Sequence, residues 1–279
     1  MNFFNIINQL AEVDPDVMGR LDSRRAVFSS LTTVGKRTAQ AALPTLLASF
    51  FSKAYAGTSA DAPKDVFNYA LTLELLEEDF YKKMTASTNV AFAAALPADQ
   101  AAIRQILKHE SAHVALLQKV VTAVGGTPVT GITFKSAVFS SLTTFAKQLE
   151  VAQQLEDTGV RAYKGKAGDL LGLADVAVPN VGTINPLQSA LQIHSVEARH
   201  AAHIRTMRGQ TAWINGNGDL DTLPAYTGAT PESNITQSGV DITKLGPGYT
   251  ATEAQASFDE LLTQAEVTDA SRAGGLIGA

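Results

Sequence analysis

One pattern occurs twice in this chain and limits what it can fold into. The first copy has Glu74 and Tyr81, then Glu110-Ser111-Ala112-His113; the second has Glu156 and Tyr163, then Glu197-Ala198-Arg199-His200. In both copies the Tyr follows the Glu by seven residues, and a Glu-x-x-His follows 36 residues after the first Glu in one copy and 41 in the other. Residues i and i+3 share a helix face, so each Glu-x-x-His can turn a carboxylate and an imidazole toward one point. Two single carboxylates and two such pairs make six ligands, a set that holds two metal ions when four helices bring it together. Glu110 and Glu197 would then bridge the ions, Glu74 and Glu156 would be terminal, and His113 and His200 would take one ion each. Four carboxylates against two divalent cations balance to zero formal charge, which lets such a cluster sit in a core. Carboxylate with imidazole suits iron or manganese.

The helices needed for this arrangement are legible. Apolar residues near a 3.6 period (Phe67, Ala70, Leu71, Leu73, Leu76, Phe80) mark Asp65–Ala86, with Asp61 or Asp65 as its cap. A second helix runs from Pro97 to Val124 and stops at Gly125-Gly126. A third spans Phe134–Lys164, a fourth Pro186–Arg208 before Gly209, and a shorter fifth Thr252–Gln264. Gly125–Thr133, with the start of the third segment, is long enough in extended form to cross a bundle. The expected fold is therefore all-α, a four-helix bundle with a long crossover between its second and third helices. Residues 1–56 would form a signal or arm, 57–209 the bundle, and 210–279 an extension with loops, a short helix and a glycine-rich tail.

Within the bundle, Glu77 lies three residues from Glu74 and is a candidate extra ligand. Its counterpart in the second copy is Gly159, a helix-interior glycine that leaves room for close packing or for a small exogenous ligand. Tyr81 and Tyr163 are expected to give their hydroxyls to ligating carboxylates, with ordinary core packing as the alternative. All five histidines (His109, His113, His194, His200, His203) fall on the two helices with Glu-x-x-His; His109, His194 and His203 read as supporting or surface groups.

Composition excludes several classes. The chain has no cysteine, so disulfides, thiolate catalysis and cysteine-based metal sites are ruled out. A net charge of −5 argues against nucleic acid as a partner. Ser23-Arg24-Arg25-Ala26-Val27-Phe28, the apolar run Ala41–Phe51 and Lys53-Ala54-Tyr55-Ala56-Gly57 resemble a twin-arginine export signal with a cleavage site. The run is too short for a transmembrane anchor. Export to the periplasm is the expectation; the alternative is a retained amphipathic arm on a cytoplasmic protein. Ala26–Lys36 and Ala137–Lys147 match at nine of eleven positions, out of register with the ligand pattern, and read as two amphipathic helices.

Leu73–Tyr81, Leu155–Tyr163 and Val196–Ala201 are similar to the motifs of the ferritin-like superfamily of di-metal carboxylate proteins. The nearest group is the bacterial ferritin-like domains related to plant desiccation-related proteins. The resemblance covers about residues 62–209. It implies redox chemistry with dioxygen or peroxide as the small-molecule substrate, by an oxidase, ferroxidase or peroxide-consuming activity, and is compatible with a homo-oligomer. Two other readings stay open. One is a structural or stress-protective scaffold whose metal only holds the bundle. The other is a zinc hydrolase using His109-Glu110-Ser111-Ala112-His113, which fits the His-Glu-x-x-His signature; the second copy, with Val196 in place of the first histidine, does not support it.

Overall fold

The structure is a computed structural model and describes residues 62–215 and 223–278. The expected signal and the first copy of the eleven-residue repeat lie outside the described residues. Four long helices form the body: α1 Pro63–Met84, α2 Pro97–Ala123, α3 Phe145–Lys166 and α4 Pro186–Met207. Three of them begin with a proline in the first turn, where its missing N–H costs nothing. Asn185 caps α4 by accepting from the Gln188 amide, and Thr144 caps α3 by accepting from the Lys147 amide. Asp61 lies outside the described residues, and Asp65 does not cap α1. Its cap is Ala62, without a side-chain hydrogen bond, and Asp65 serves as the acidic residue of the first turn. Gly209 ends α4 at φ 74°, in the left-handed region.

The helices pair as two antiparallel hairpins, α1 with α2 and α3 with α4, and α1 lies against α3. Segment 124–135 crosses the bundle along α1. The Asn68 side chain holds the Thr127 carbonyl and the Val129 amide, and further along the Asp79 carboxylate accepts from the Phe134 amide. The lengths agree: five extended residues span about 16 Å, as do the eleven helical residues between Asn68 and Asp79.

The expected third helix is broken. Thr133–Phe134 is a strand (β1), Ser136–Ser141 a short helix, and the chain bends before α3 starts at Phe145. The Thr144 cap explains the break, because its side chain terminates rather than continues a helix. The second copy of the repeat thus spans a short helix, a bend and the start of α3, not one amphipathic helix. The expected fifth helix covers only Ala251–Ala256, followed by a separate turn at Gln264–Val267. Loop 165–185 contains a hairpin of β2 (Val176–Val178) and β3 (Gly182–Ile184), and the extension contains another of β4 (Thr236–Gln237) and β5 (Val240–Asp241). The tail pairs β6 (Ile277–Gly278) with β1.

Two apolar clusters fill the bundle. One contains Leu76, Phe80, Ile103, Phe134, Leu155 and Ile204; the other contains Phe67, Leu71, Leu117, Val121, Leu170 and Ile193. On α2 and α4 the passage from one cluster to the other leaves a short polar stretch, Glu110 on α2 and Glu197 with His200 on α4, and on α1 and α3 Glu74, Glu77 and Glu156 interrupt the apolar run. Four such stretches at one level form a polar layer between apolar ends. No helix among the described residues is long and apolar enough to cross a membrane.

Candidate metal centre

The polar layer brings together all six residues of the repeated pattern. Glu74, Glu110, Glu156 and Glu197 have no exposed surface, and His200 is buried. The side chain of His113 keeps 12 % of its surface. Ligand atoms of Glu74, Glu110, His113 and Glu197 lie within 4.8 Å of one another, as do those of Glu110, Glu156, Glu197 and His200. Glu110 and Glu197 belong to both groups; each of the other four belongs to one.

Both histidines turn Nδ1 inward. His113 Nδ1 is 3.0 Å from Glu74 Oε2, 3.1 Å from Glu110 Oε2 and 3.4 Å from Glu197 Oε1. His200 Nδ1 is 2.9 Å from Glu110 Oε1 and 3.1 Å from Glu156 Oε2. The tyrosines complete a pseudo-symmetric set. Tyr163 donates its hydroxyl to Glu74 Oε1 at 2.5 Å, and Tyr81 donates to Glu156 Oε1. This pairing, 81 with 156 and 163 with 74, also shows that α1 and α3 run antiparallel.

A buried carboxylate is expensive without donors or cations. Burial pushes Glu74 up to about 7, against the hydrogen bond from His113. Burial and the charges of neighbouring glutamates push Glu77 and Glu197 well above the usual carboxylate range. Glu110 goes the other way: burial would raise it, but contacts with both imidazoles outweigh that and hold it at about 2. The carboxylates in turn override the burial of His113 and His200, and each imidazole keeps its proton up to about 10. Two imidazolium charges therefore stand among five glutamates. The remaining deficit is visible at single atoms. Among the described residues neither oxygen of Glu197 and not Glu77 Oε2 has a hydrogen-bond partner, and Glu110 Oε1 meets His200, as Glu197 Oε1 meets His113, only as an ion-pair contact. Donor-free carboxylate oxygens facing one another are what a pair of divalent cations would satisfy, so the residues fit such a group.

Glu77 is buried on α1 beside this layer but is not part of either ligand group. Gly159 faces the same place. A Cβ there would stand 3.2 Å from Glu197 Oε2 and 3.4 Å from Glu77 Oε1, so the missing side chain leaves the carboxylates room. His109 is in neither ligand group; its ring contacts His200 and Gln105. The two histidines of the His-Glu-x-x-His signature thus do not converge on one point. His203 is exposed, and His194 is half-buried with Nε2 unpartnered.

The sequence reading missed what supports α3 from outside. Arg161 is 1 % exposed. It donates to the carbonyls of Ala225, Thr227, Thr230, Glu260 and Leu261, and pairs with the buried Glu232 at 3.0 Å. Asp157 pairs with Arg205 of α4 and accepts from the Tyr226 hydroxyl at 2.6 Å. Both Arg161 and Asp157 flank Glu156 on α3. The available signal was two charged residues within a stretch that apolar neighbours and Gly159 already marked as buried on most sides.

A family model described as a ferritin-like domain matches residues 60–210. A comparison with curated proteins finds no match.

Proposed function

The chain belongs to the ferritin-like domain family, and from that premise we propose that its buried Glu/His cluster holds two metal ions, iron or manganese, for redox chemistry with dioxygen or peroxide. One observation carries this reading: two four-residue ligand groups that share Glu110 and Glu197. Glu110 and Glu197 would bridge. Glu74 and His113 would complete one position, and Glu156 and His200 the other. Two redox-active ions bound there would exchange electrons with dioxygen or peroxide.

The protein's own part is positioning and exclusion of water. Tyr163 and Tyr81 each hold one oxygen of a terminal carboxylate and leave the other for the ion. The apolar clusters on either side keep water from the four glutamates, which strengthens the charge interactions among them. Gly159 lets the Glu197 and Glu77 carboxylates lie close against the backbone of α3, where any larger side chain would press on them. The export-like sequence of residues 23–57 supports work outside the cytoplasm, reached with the metals already loaded.

Metal analysis of protein purified without added metal, followed by oxygen- and peroxide-consumption assays, tests the proposal. Two iron or manganese ions per chain with turnover are expected. A single zinc would overturn it, and two ions without turnover would leave a metal-held scaffold.

A further inference from the structure

His200 and His113 are related by the repeat, yet their outward-facing nitrogens meet different surroundings. His200 Nε2 is 2.9 Å from His109 Nδ1. The two rings are parallel within 7°, with centroids 5.2 Å apart. That separation is what an N···N contact of 2.9 Å gives when the radius of each ring is added. The rings are therefore edge to edge in one plane, the geometry of a hydrogen bond along a ring lone pair and not of a face stack. The other nitrogen of His109 is 2.8 Å from the side-chain amide of Gln105. No side chain among the described residues hydrogen-bonds His113 Nε2, and that ring retains some exposure.

We propose that His109 is a positioning residue that fixes the His200 imidazole and makes the two metal positions unequal, the His200 position being the tighter. This rests on the di-metal reading above. A ring that gives Nδ1 to a cation keeps its hydrogen on Nε2 and must donate it. His109 Nδ1 is the acceptor. His109 then carries its own hydrogen on Nε2, and a half-turn of the Gln105 amide presents the oxygen that accepts it. The chain Gln105–His109–His200 holds the ligand ring in plane and raises its donor strength, as a carboxylate or carbonyl does behind other metal-bound histidines. His113 has no such support among the described residues, so its position should fill second and exchange first. His109 sits at the signature position that has no counterpart in the second copy, where Val196 stands. The asymmetry is therefore written into the sequence.

Titration of the metal-free full chain with Co(II), followed by calorimetry and by the visible ligand-field spectrum, tests this. The wild type should show two binding events. His109→Phe, which keeps a planar ring but loses the acceptor, should weaken one event by about 10- to 100-fold and shift its spectrum, leaving the other in place. The weakened event should be the one that His200→Ala abolishes and His113→Ala spares. His109→Asn, which returns an acceptor near the Nδ1 position, should restore most of the loss. Two unchanged events in His109→Phe, or equal weakening of both, would overturn the role of His109 and leave the metal reading intact. A wild type that takes up no Co(II), Fe(II) or Mn(II) would overturn the metal reading itself. Circular dichroism of each variant separates misfolding from loss of the ligand.

Discussion

Glu197 has two carboxylate oxygens and no hydrogen-bond donor for either. Its burial, with the charges of Glu110, Glu74, Glu156 and Glu77 around it, raises its proton affinity in the folded, metal-free protein. The sign of the stability effect follows. Below the ordinary carboxylate value of about 4.3, the group is protonated folded or unfolded and burial carries no charge penalty. As pH rises above that value, the unfolded chain ionises while the folded one resists, so the metal-free fold loses stability. Glu197→Gln removes the ionisable group and keeps the shape. In chelator, the variant should match the wild type near pH 4 and be the more stable of the two at pH 7. With metal added the order should reverse if Glu197 bridges two ions as proposed, because the variant lacks that carboxylate. Urea unfolding at the two pH values, with and without metal, reads both differences; a variant no more stable than wild type in chelator at pH 7 would mean that Glu197 is not held at a cost. The six pattern residues were legible in the sequence because ligand chemistry tolerates few side-chain types and helix geometry fixes their spacing. His109 was legible as a neighbour but not as a partner of His200, since nothing in the chain relates positions 109 and 200 except folding.

The elements divide in the same way. Helix starts at Pro97 and Pro186 and the stop at Gly209 follow from backbone chemistry within one turn, and the bundle reproduces them. The break before α3 was readable in the Thr144 cap, although a continuous apolar pattern across Phe139, Leu142 and Phe145 masks it. The docking of the extension onto α3 was not readable, because its recognition is by backbone. Arg161 binds five carbonyls, and carbonyls carry no sequence identity. Gly165 is part of the same contact: a Cβ there would stand 2.0 Å from the Leu262 carbonyl oxygen, so only glycine lets segment 259–263 lie on the end of the helix. Arg161→Leu should cost about 3–5 kcal/mol, since it leaves the buried Glu232 with the Glu260 amide but no cation and leaves several carbonyls without donors. Arg161→Leu/Glu232→Leu should recover the part due to the stranded charge and not the part due to the carbonyls. Denaturant unfolding of the single and double variants measures each part. Equal loss in both would show that Glu232 is not the stranded partner.

On the scale of the whole molecule, the extension belongs to the core that surrounds the Glu/His layer. The family match ends at residue 210, yet Leu262, Val267 and Ala273 are buried in the same cluster as Phe80, Phe134 and Leu155. The tail strand β6 pairs with β1, which the Asp79 carboxylate ties to α1 five residues from Glu74. Tyr226 and Asp157 join the extension to both helices of the second hairpin. Removing residues 211–279 would uncover the apolar surface that Leu262 and Val267 now cover, worth about 1.5–3 kcal/mol each, and would take away the five carbonyls that Arg161 binds. Together these match much of the roughly 5–15 kcal/mol by which a domain is stable. A chain ending at residue 210 should therefore be helical but loosely packed: far-ultraviolet circular dichroism retained, a broad unfolding transition, and dye-binding apolar surface. Its metal stoichiometry should fall below that of the full chain, because α3, which carries Glu156, loses the scaffold that fixes its position. Cooperative unfolding and full metal uptake by the truncated chain would show the opposite, a bundle complete in itself with the extension laid over it. The deciding measurement is the steepness of the denaturant transition in the two lengths of chain, since steepness follows the surface a cooperative core exposes.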